Sequence, residues 1–484
     1  MQLTDTNSNT IDIKKYSNVT DDSRDVVKGG IFIAVRGYLF DGHDYISEAL
    51  QRGAALIIID KNRADLVNSI SSTYVVVVDD TRLALSYIVS KIYEKPENIV
   101  AVTGTNGKTS VVYFFQQLLF LLGIEGASIG TLGILGKNKP IFDIGGSLTS
   151  LGALQLHKML QKIKDKKINY VALEASSHGL IQHRMDFVPL KGAAFTSFSR
   201  EHLDYHETMD DYLKAKFYLF DQLLVRGSFA LINSEMEPME SLVKICKSKG
   251  IESLTYGANG NFIKIGSIKY SNDNSFIVDF IFDRKRYQFI CNFLGRFQIY
   301  NILCTLGILV SLGFDIEKLL PLLEKLTNVP GRMQRVLTSN VYVDYSHTPE
   351  ALASALKSVS ELMKQRKMNK GRVITIFGCG GERDKGKRFE MGKIANELSD
   401  IVIITDDNPR SEDASQIRRE IMRGCSSALD IADREQAIKY AIQNSKSEDF
   451  VLISGKGHEK VQIIAGKKIE FDDVKVVKKY LCRI

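Results

Sequence analysis

Short apolar runs recur along the chain: 30–35 (GIFIAV), 54–60 (AALIIID), 74–80 (YVVVVDD), 98–104 (NIVAVTG), 170–177 (YVALEASS), 193–199 (AAFTSFS), 341–346 (VYVDYS), 373–381 (VITIFGCGG), 401–407 (IVIITDD) and 450–457 (FVLISGKG). Amphipathic helical stretches separate them. Near-continuous apolar strands alternating with helices predict parallel sheets covered on both faces, so the class is α/β. Many runs end in Gly, Ser, Asp, Asn or Lys, and in open α/β sheets ligands sit beyond the carboxyl ends of the strands. The chemistry is therefore expected at those endings. The segment from about 250 to 295 instead alternates along its strands, with turns at 257–260 and 271–274.

Pro and Gly punctuate the pattern at 94–97 (EKPE) and 328–332 (NVPGR). Three domains are expected: 1–97, 98–330 and 331–484. A length of 484 residues is too great for one hydrophobic core. Apolar residues make up 44% and charged residues 25%, close to the soluble globular average. The excess charge of +7 is mild, and part of it lies in a lysine-rich helix face at 162–167 that reads as solvated surface. It gives no reason to expect a nucleic-acid partner. Six cysteines without C-x-x-C spacing read as reduced thiols, not as a disulfide or zinc framework. The N-terminal segment is polar, and the longest apolar stretch, near Phe114–Ile124, is interrupted by Gln116, Gln117 and Gly123. No membrane insertion is expected, and the location is read as cytoplasmic.

The run at 98–104 leads into Gly104-Thr105-Asn106-Gly107-Lys108-Thr109-Ser110, which opens a helix. Glycines let backbone N–H groups approach phosphate oxygens, and the helix N-terminus adds partial positive charge. Lys108 can bridge the outer phosphates and the Thr109 hydroxyl can bind Mg²⁺. The strict phosphate-loop pattern has Gly where Val102 stands. The plain alternative is an ordinary Gly-rich strand-to-helix turn.

The wording AVTGTNGKTS resembles the Mur ligases and their folylpolyglutamate synthetase relatives. DSR (22–24), DGHDYI (41–46), EASSHGLIQHR (174–184), PGRMQRV (330–336), VDYSHTPEAL (343–352), GERD (381–384), DNPR (407–410) and GKGHE (455–459) are similar to Mur ligases in the family's order, over about 20–475. The resemblance implies ATP-dependent, ADP-forming amide ligases that build the peptide of the bacterial cell-wall precursor. It also implies a central P-loop ATPase domain rich in parallel strands and a Rossmann-like C-terminal domain. The branch resembled joins meso-diaminopimelate to a UDP-muramoyl dipeptide. L-lysine or another diamino acid is the alternative substrate. A monomer is expected.

By the same resemblance, Lys108, Glu174, His202 and Lys216 are the catalytic residues. Thr109, Glu174, His202 and Lys216 are associated with Mg²⁺, Lys216 as a carbamate (N6-carboxylysine). Read alone, Lys216 would be one more exposed helix lysine. ATP is expected at 104–110 with Asn301, Asp344 and His347. The UDP-substrate is expected at Ser23, Tyr38, Leu39, Phe40, Thr149, Ser150, Ser176, Gln182 and Arg184. Diaminopimelate is expected at Arg383, Asp407, Asn408, Pro409, Arg410, Gly455 and Glu459. Two departures stand out. The family's Thr-Thr-Pro-acid is Thr149-Ser150-Leu151-Gly152 here, which removes a helix-starting proline and a dipole-favoured acid and predicts a less rigid loop. The family's Phe-Asn is Phe297-Gln298, with Asn301 kept.

Three rivals remain. A folylpolyglutamate synthetase would begin its phosphate loop near the N-terminus, whereas about a hundred residues precede it here. A nucleic-acid-driven P-loop motor would carry a separate Walker-B strand and a basic, aromatic-interleaved surface. A catalytically dead relative would have lost Lys108, Glu174, His202 or Lys216.

Overall fold

A computed structural model describes residues 11–37, 40–70, 74–137, 139–142, 149–202, 205–271, 275–366 and 370–482. Three sheets carry the chain. The first is parallel: β1 (Val19–Thr20), β2 (Ile31–Ile33), β3 (Leu56–Asp60) and β4 (Tyr74–Val78), in that order.

The second sheet has eleven strands: β5 (Asn98–Thr103), β6 (Gly126–Gly130), β7 (Gly133–Gly136), β8 (Lys139–Phe142), β9 (Tyr170–Glu174), β10 (Leu190–Phe195), β11 (Phe229–Asn233), β12 (Glu252–Gly257), β13 (Ile263–Tyr270), β14 (Phe276–Phe282) and β15 (Lys285–Cys291). Their spatial order is β15-β14-β13-β12-β11-β10-β5-β9-β6-β7-β8. From β12 to β6 neighbouring strands are parallel, while β13–β15 and β6–β8 form antiparallel edges. Helices Lys108–Leu121 and Arg296–Ser311 bury one face of this sheet, and helix Ala153–Asp165 helps bury the other.

The third sheet holds β16 (Gln334–Arg335), β17 (Val341–Asp344), β18 (Val373–Phe377), β19 (Ile401–Ile404), β20 (Leu429–Asp430) and β21 (Phe450–Ser454), ordered β16-β17-β21-β18-β19-β20. All its pairings are parallel except β16–β17. A hairpin, β22 (Val461–Ile464) and β23 (Lys467–Glu470), follows.

All ten apolar runs became strands, each buried because a parallel strand loses both faces to helices. The alternating segment became β12–β15, whose turn at 257–260 is observed; most of 271–274 lies outside the described residues. Among the described residues no helix is long and apolar enough to cross a membrane, and all six cysteines are free thiols.

Helix Ala153–Asp165 also seats Ala153 and Leu154 in the core of the first sheet, beside Leu85 and Ile88 of helix Thr81–Ile92. Gly152 caps this helix without a side-chain bond, as the missing proline and acid predict. The loop before it is nevertheless anchored. Ser150 Oγ donates to the Glu174 carbonyl at 2.9 Å and accepts from the Ser176 N–H at 3.1 Å. These bonds fix the Ser150 end of the loop, and residues 143–148 lie outside the described residues.

Candidate active site

The strand endings converge as the run pattern predicted. β5 ends at Thr103, β9 at Glu174, β10 at Phe195 and β17 at Asp344, and their next residues surround one cavity of about 540 Å³. The turn 104–107 links β5 to helix Lys108–Leu121. Gly104 has φ +148° and a Cβ there would lie 2.0 Å from Thr196 Oγ1; at Gly107, with φ +91°, it would lie 2.6 Å from Asn301 Oδ1. Only glycine fits either place. Gly107 caps the helix with no side chain, so the first-turn N–H groups stay open to a ligand.

Lys108 bends back over this turn, donating to the carbonyls of Gly104 at 2.7 Å and Thr105 at 2.8 Å. Burial pushes its ammonium below the usual lysine range, opposed by the carboxylates of Glu201 and Glu174. Glu174 is 1% exposed. It accepts from Thr109 Oγ1 at 3.1 Å, from Thr131 Oγ1 at 3.0 Å and from the Thr131 N–H at 2.8 Å. Burial raises its pKa, with Lys108 as the main opposing influence.

Lys216 is not the exposed lysine its helix position suggests. It is 1% exposed and donates to the Gly104 carbonyl at 2.9 Å, on the far side of the phosphate turn. Burial, reinforced by Lys108, drives its pKa well below the lysine range. His202, at φ +57°, packs edge-on against His178, and burial lowers it to about 4.

Two participants went unassigned in the sequence. Glu201 has its carboxylate 3.5 Å from His347 Nε2 and 3.3 Å from the Tyr212 hydroxyl. Burial alone would raise its pKa, but His347, His202 and Lys108 together hold it far below the carboxylate range. Arg332 donates to Thr109 Oγ1 at 3.3 Å and lies 4.4 Å over the Tyr345 ring, which joins the third sheet to the phosphate turn. The Pro-Gly-Arg turn and the Glu-His pair were visible as motifs, but only the fold brings them to Lys108.

Of the nucleotide-side expectations, Asn301, Asp344 and His347 all line this cavity, and Gly104 contributes its backbone carbonyl behind it. Gln298 does not line it. Its Oε1 accepts from Asn301 Nδ2 at 3.0 Å, so the substituted residue orients the retained one.

A second cavity, about 1660 Å³, opens from the first; Thr131, Thr149, Ser176, Glu201, His202 and Tyr345 are among the residues lining both. Arg184 and Ser150 line it, with Arg184 donating to the Ser150 carbonyl at 2.7 Å, while Gln182 stands behind, accepting from Arg184. At the other end are Arg383, Asp407, Asn408, Arg410, Gly455 and Glu459; Pro409 is buried and does not line it. Arg410 adopts φ +54° and donates from Nη1 to the Gly381 carbonyl at 2.6 Å. Its Nε and Nη2 donors have no protein acceptor among the described residues. Ser23 is buried and donates to Glu48 at 2.7 Å, Phe40 is exposed, and neither lines either of these two cavities. Tyr38 and Leu39 lie outside the described residues.

Family models match this chain along most of its length: the Mur ligase family catalytic domain over 15–93, the Mur ligase middle domain over 102–309, and the glutamate ligase domain over 331–457. A Rickettsia typhi protein named UDP-N-acetylmuramoyl-L-alanyl-D-glutamate--2,6-diaminopimelate ligase is 42% identical over 472 residues, covering 96% of this chain and 94% of its own. The chain belongs to the Mur ligase family. An Agrobacterium fabrum ligase of the same name is 39% identical across 97% of this chain and 94% of its own. A solved structure of a ligase with that name, 30% identical, covers 100% of this chain and 99% of its own with a TM-score of 0.67. The Thermotoga maritima MurF ligase in complex with ADP, 21% identical, covers 98% of each chain with a TM-score of 0.63 and shares the fold.

Mur ligases use ATP and Mg²⁺, and the donor set suits such a cation. Thr109 Oγ1, Thr131 Oγ1 and the Glu174 carboxylate form a cluster of hard oxygens beside the open helix N-terminus, which is what Mg²⁺ prefers. Among the described residues no three His, Cys, Asp or Glu side chains gather as a ready metal site. The nitrogens of Lys216 and His202 are poor Mg²⁺ donors as they stand.

Proposed function

We propose that this Mur ligase joins meso-2,6-diaminopimelate to UDP-N-acetylmuramoyl-L-alanyl-D-glutamate at the expense of ATP. The observation that carries the proposal is the continuity of the two cavities: the phosphate turn opens into a larger space whose far end bears Arg383, Arg410 and Glu459. Those charges complement an amino acid with a carboxylate and an ammonium at each end. The same names borne by relatives about 40% identical over nearly the whole chain support it.

In this reading the γ-phosphoryl group of ATP passes to the D-glutamate side-chain carboxylate and ADP leaves. The amine of diaminopimelate attacks the acyl carbon, loses a proton, and the tetrahedral intermediate expels phosphate. Lys108 and the first-turn N–H groups hold the transferring phosphoryl group, and Arg332 adds positive charge beside Thr109. Thr109 and Glu174 would hold Mg²⁺, which neutralises phosphate charge. Arg184, Thr149, Ser150 and Ser176 would align the peptide end, and Ser23 with 38–40 the nucleotide end. Lys216 would react with CO₂ to give a carbamate, whose oxygens suit Mg²⁺ where an amine does not. The protein's contribution is alignment and charge neutralisation.

The test supplies ATP, the UDP-muramoyl dipeptide and one amino acid at a time, and weighs the product. A mass increase of one diaminopimelate residue is expected. Exclusive addition of L-lysine would overturn the choice of amino acid.

A further inference from the structure

The amino-acid end of the large cavity is organised by a side chain that does not reach it. Lys456 follows β21, just ahead of the turn at 457–458, and is 0% exposed. Its ammonium donates to Glu459 Oε2 at 2.8 Å, to the Val461 carbonyl at 2.7 Å and to Asn408 Oδ1 at 3.1 Å. An ammonium has three N–H donors, so all are used and none remains for a ligand.

The consequences fall on its neighbours. Asn408 Oδ1 also accepts from the Ile463 N–H at 2.9 Å. With both lone pairs of that oxygen engaged, the carboxamide has one satisfied orientation, and its Nδ2 donates to Glu459 Oε2 at 2.9 Å. Glu459 Oε2 thus takes two donors. Oε1 has no hydrogen-bond partner among the described residues and belongs to a side chain lining the cavity. The same stretch places Arg410, whose N–H donates to the Ile463 carbonyl at 3.0 Å and whose carbonyl accepts from the Ala465 N–H at 2.7 Å.

We propose that Lys456 is the positioning residue of the amino-acid pocket: it sets Asn408 and Glu459 so that Glu459 Oε1 meets an ammonium group of the incoming amino acid. This deepens the proposed ligation and rests on it for the identity of the pocket. A buried cation is costly to desolvate, and well-packed apolar replacements of buried ion pairs are often neutral for stability. A lysine here is therefore better explained by the geometry it imposes than by the stability it adds.

The experiment measures KM for each substrate in the full-length enzyme and in Lys456→Met, with Lys456→Gln as a second variant that keeps two donors. Misplacement of a binding group by about an ångström can cost roughly a hundredfold. Lys456→Met should raise the diaminopimelate KM by about ten- to a hundredfold, leave those for ATP and the UDP-muramoyl dipeptide within about twofold, and change kcat less. Lys456→Gln should show the same selective rise, smaller. Adding Asn408→Ala to Lys456→Met should cost less than Asn408→Ala costs alone, because the two act through one oxygen. KM values that rise together, a fall confined to kcat, or loss of folding in both variants would overturn the assignment. If the wild type adds a different amino acid, the proposed substrate fails, and the split is read with that amino acid and decides the role of Lys456 in the same way.

Discussion

At the scale of single residues, the site depends on charged groups whose surroundings change their chemistry. Lys216 is the sharpest case. Only a neutral amine attacks CO₂, and burial beside Lys108 lowers its pKa, so the neutral form is present at pH values where an exposed lysine would be protonated. Incubation with ¹³C-bicarbonate should give a carbamate carbonyl signal that Lys216→Ala lacks, and CO₂-depleted buffer should lower activity. A fully active enzyme without the signal would remove the carbamate. Arg410 gives a second prediction. Its Nη1 is fixed on Gly381, which leaves Nε and Nη2 to pair with the far carboxylate of diaminopimelate. Lysine lacks that group, and a charge-assisted hydrogen bond contributes about 1.5–3 kcal/mol. Arg410→Ala should therefore lower the preference for diaminopimelate over lysine, in kcat/KM, by roughly ten- to a hundredfold. An unchanged ratio would make Arg410 a turn residue only.

At the scale of elements, a joint between the first and second sheets carries a pH-sensitive link. His183, at φ +55°, has Nδ1 3.1 Å from Asp186 and Nε2 3.7 Å from Asp80, the residue that caps helix Thr81–Ile92. The hydrogen bond with Asp186 is the main influence raising its pKa, aided by the field of Asp80 and opposed by burial and Arg82. A histidine whose folded pKa exceeds its unfolded value stabilises the fold fully below about 6.5, and that contribution fades as pH rises through the raised value. The stability that wild type has over His183→Asn, a variant that tolerates positive φ, should accordingly shrink from pH 6.5 upward in thermal melts. Equal slopes for both proteins would discard the link. The elements themselves were largely legible, because a parallel strand buried on both faces must be apolar along its length. The buried apolar β11 (FALIN) was passed over although it carries the same signal, but most of what escaped notice has the opposite character. The strands β6–β8 are rich in Gly and carry Lys and Pro, and β23 reads KKIE, so neither presents an apolar run. The site was legible where a local motif carries the chemistry, as at Lys108 and Arg410. Lys456, Arg332, Glu201 and the burial of Lys216 depend on contacts between residues far apart in sequence, to which no periodicity is sensitive.

At the scale of the whole molecule, the second and third sheets meet at one crevice, and their arrangement dictates an order of events. The phosphate turn belongs to the second sheet, Asp344 and His347 to the third, and the acceptor carboxylate must enter through the larger cavity that the two share. Lys108 is folded onto the carbonyls of Gly104 and Thr105, and Glu201 is held by His347 from across the crevice. Phosphoryl transfer by positioning and charge neutralisation needs an aligned acceptor, and water offers no carboxylate to Arg184 and its neighbours for alignment. ADP formation should therefore require the UDP-muramoyl dipeptide. With ATP and dipeptide but no amino acid, rapid quenching should show a burst of no more than about one ADP per enzyme, because the acyl phosphate stays in place until an amine attacks it. Adding diaminopimelate should turn the burst into steady turnover. Sustained hydrolysis of ATP without dipeptide would contradict the order, and stimulation of that hydrolysis by DNA or RNA would favour a motor. The burst distinguishes further. If it appears but diaminopimelate fails to release it, phosphoryl transfer stands and the fault lies in the pocket of Arg410, Asn408 and Glu459. If diaminopimelate is needed for any ADP to form, the amino acid must close the crevice before the chemistry begins, and the third sheet, not the acceptor, gates the first step.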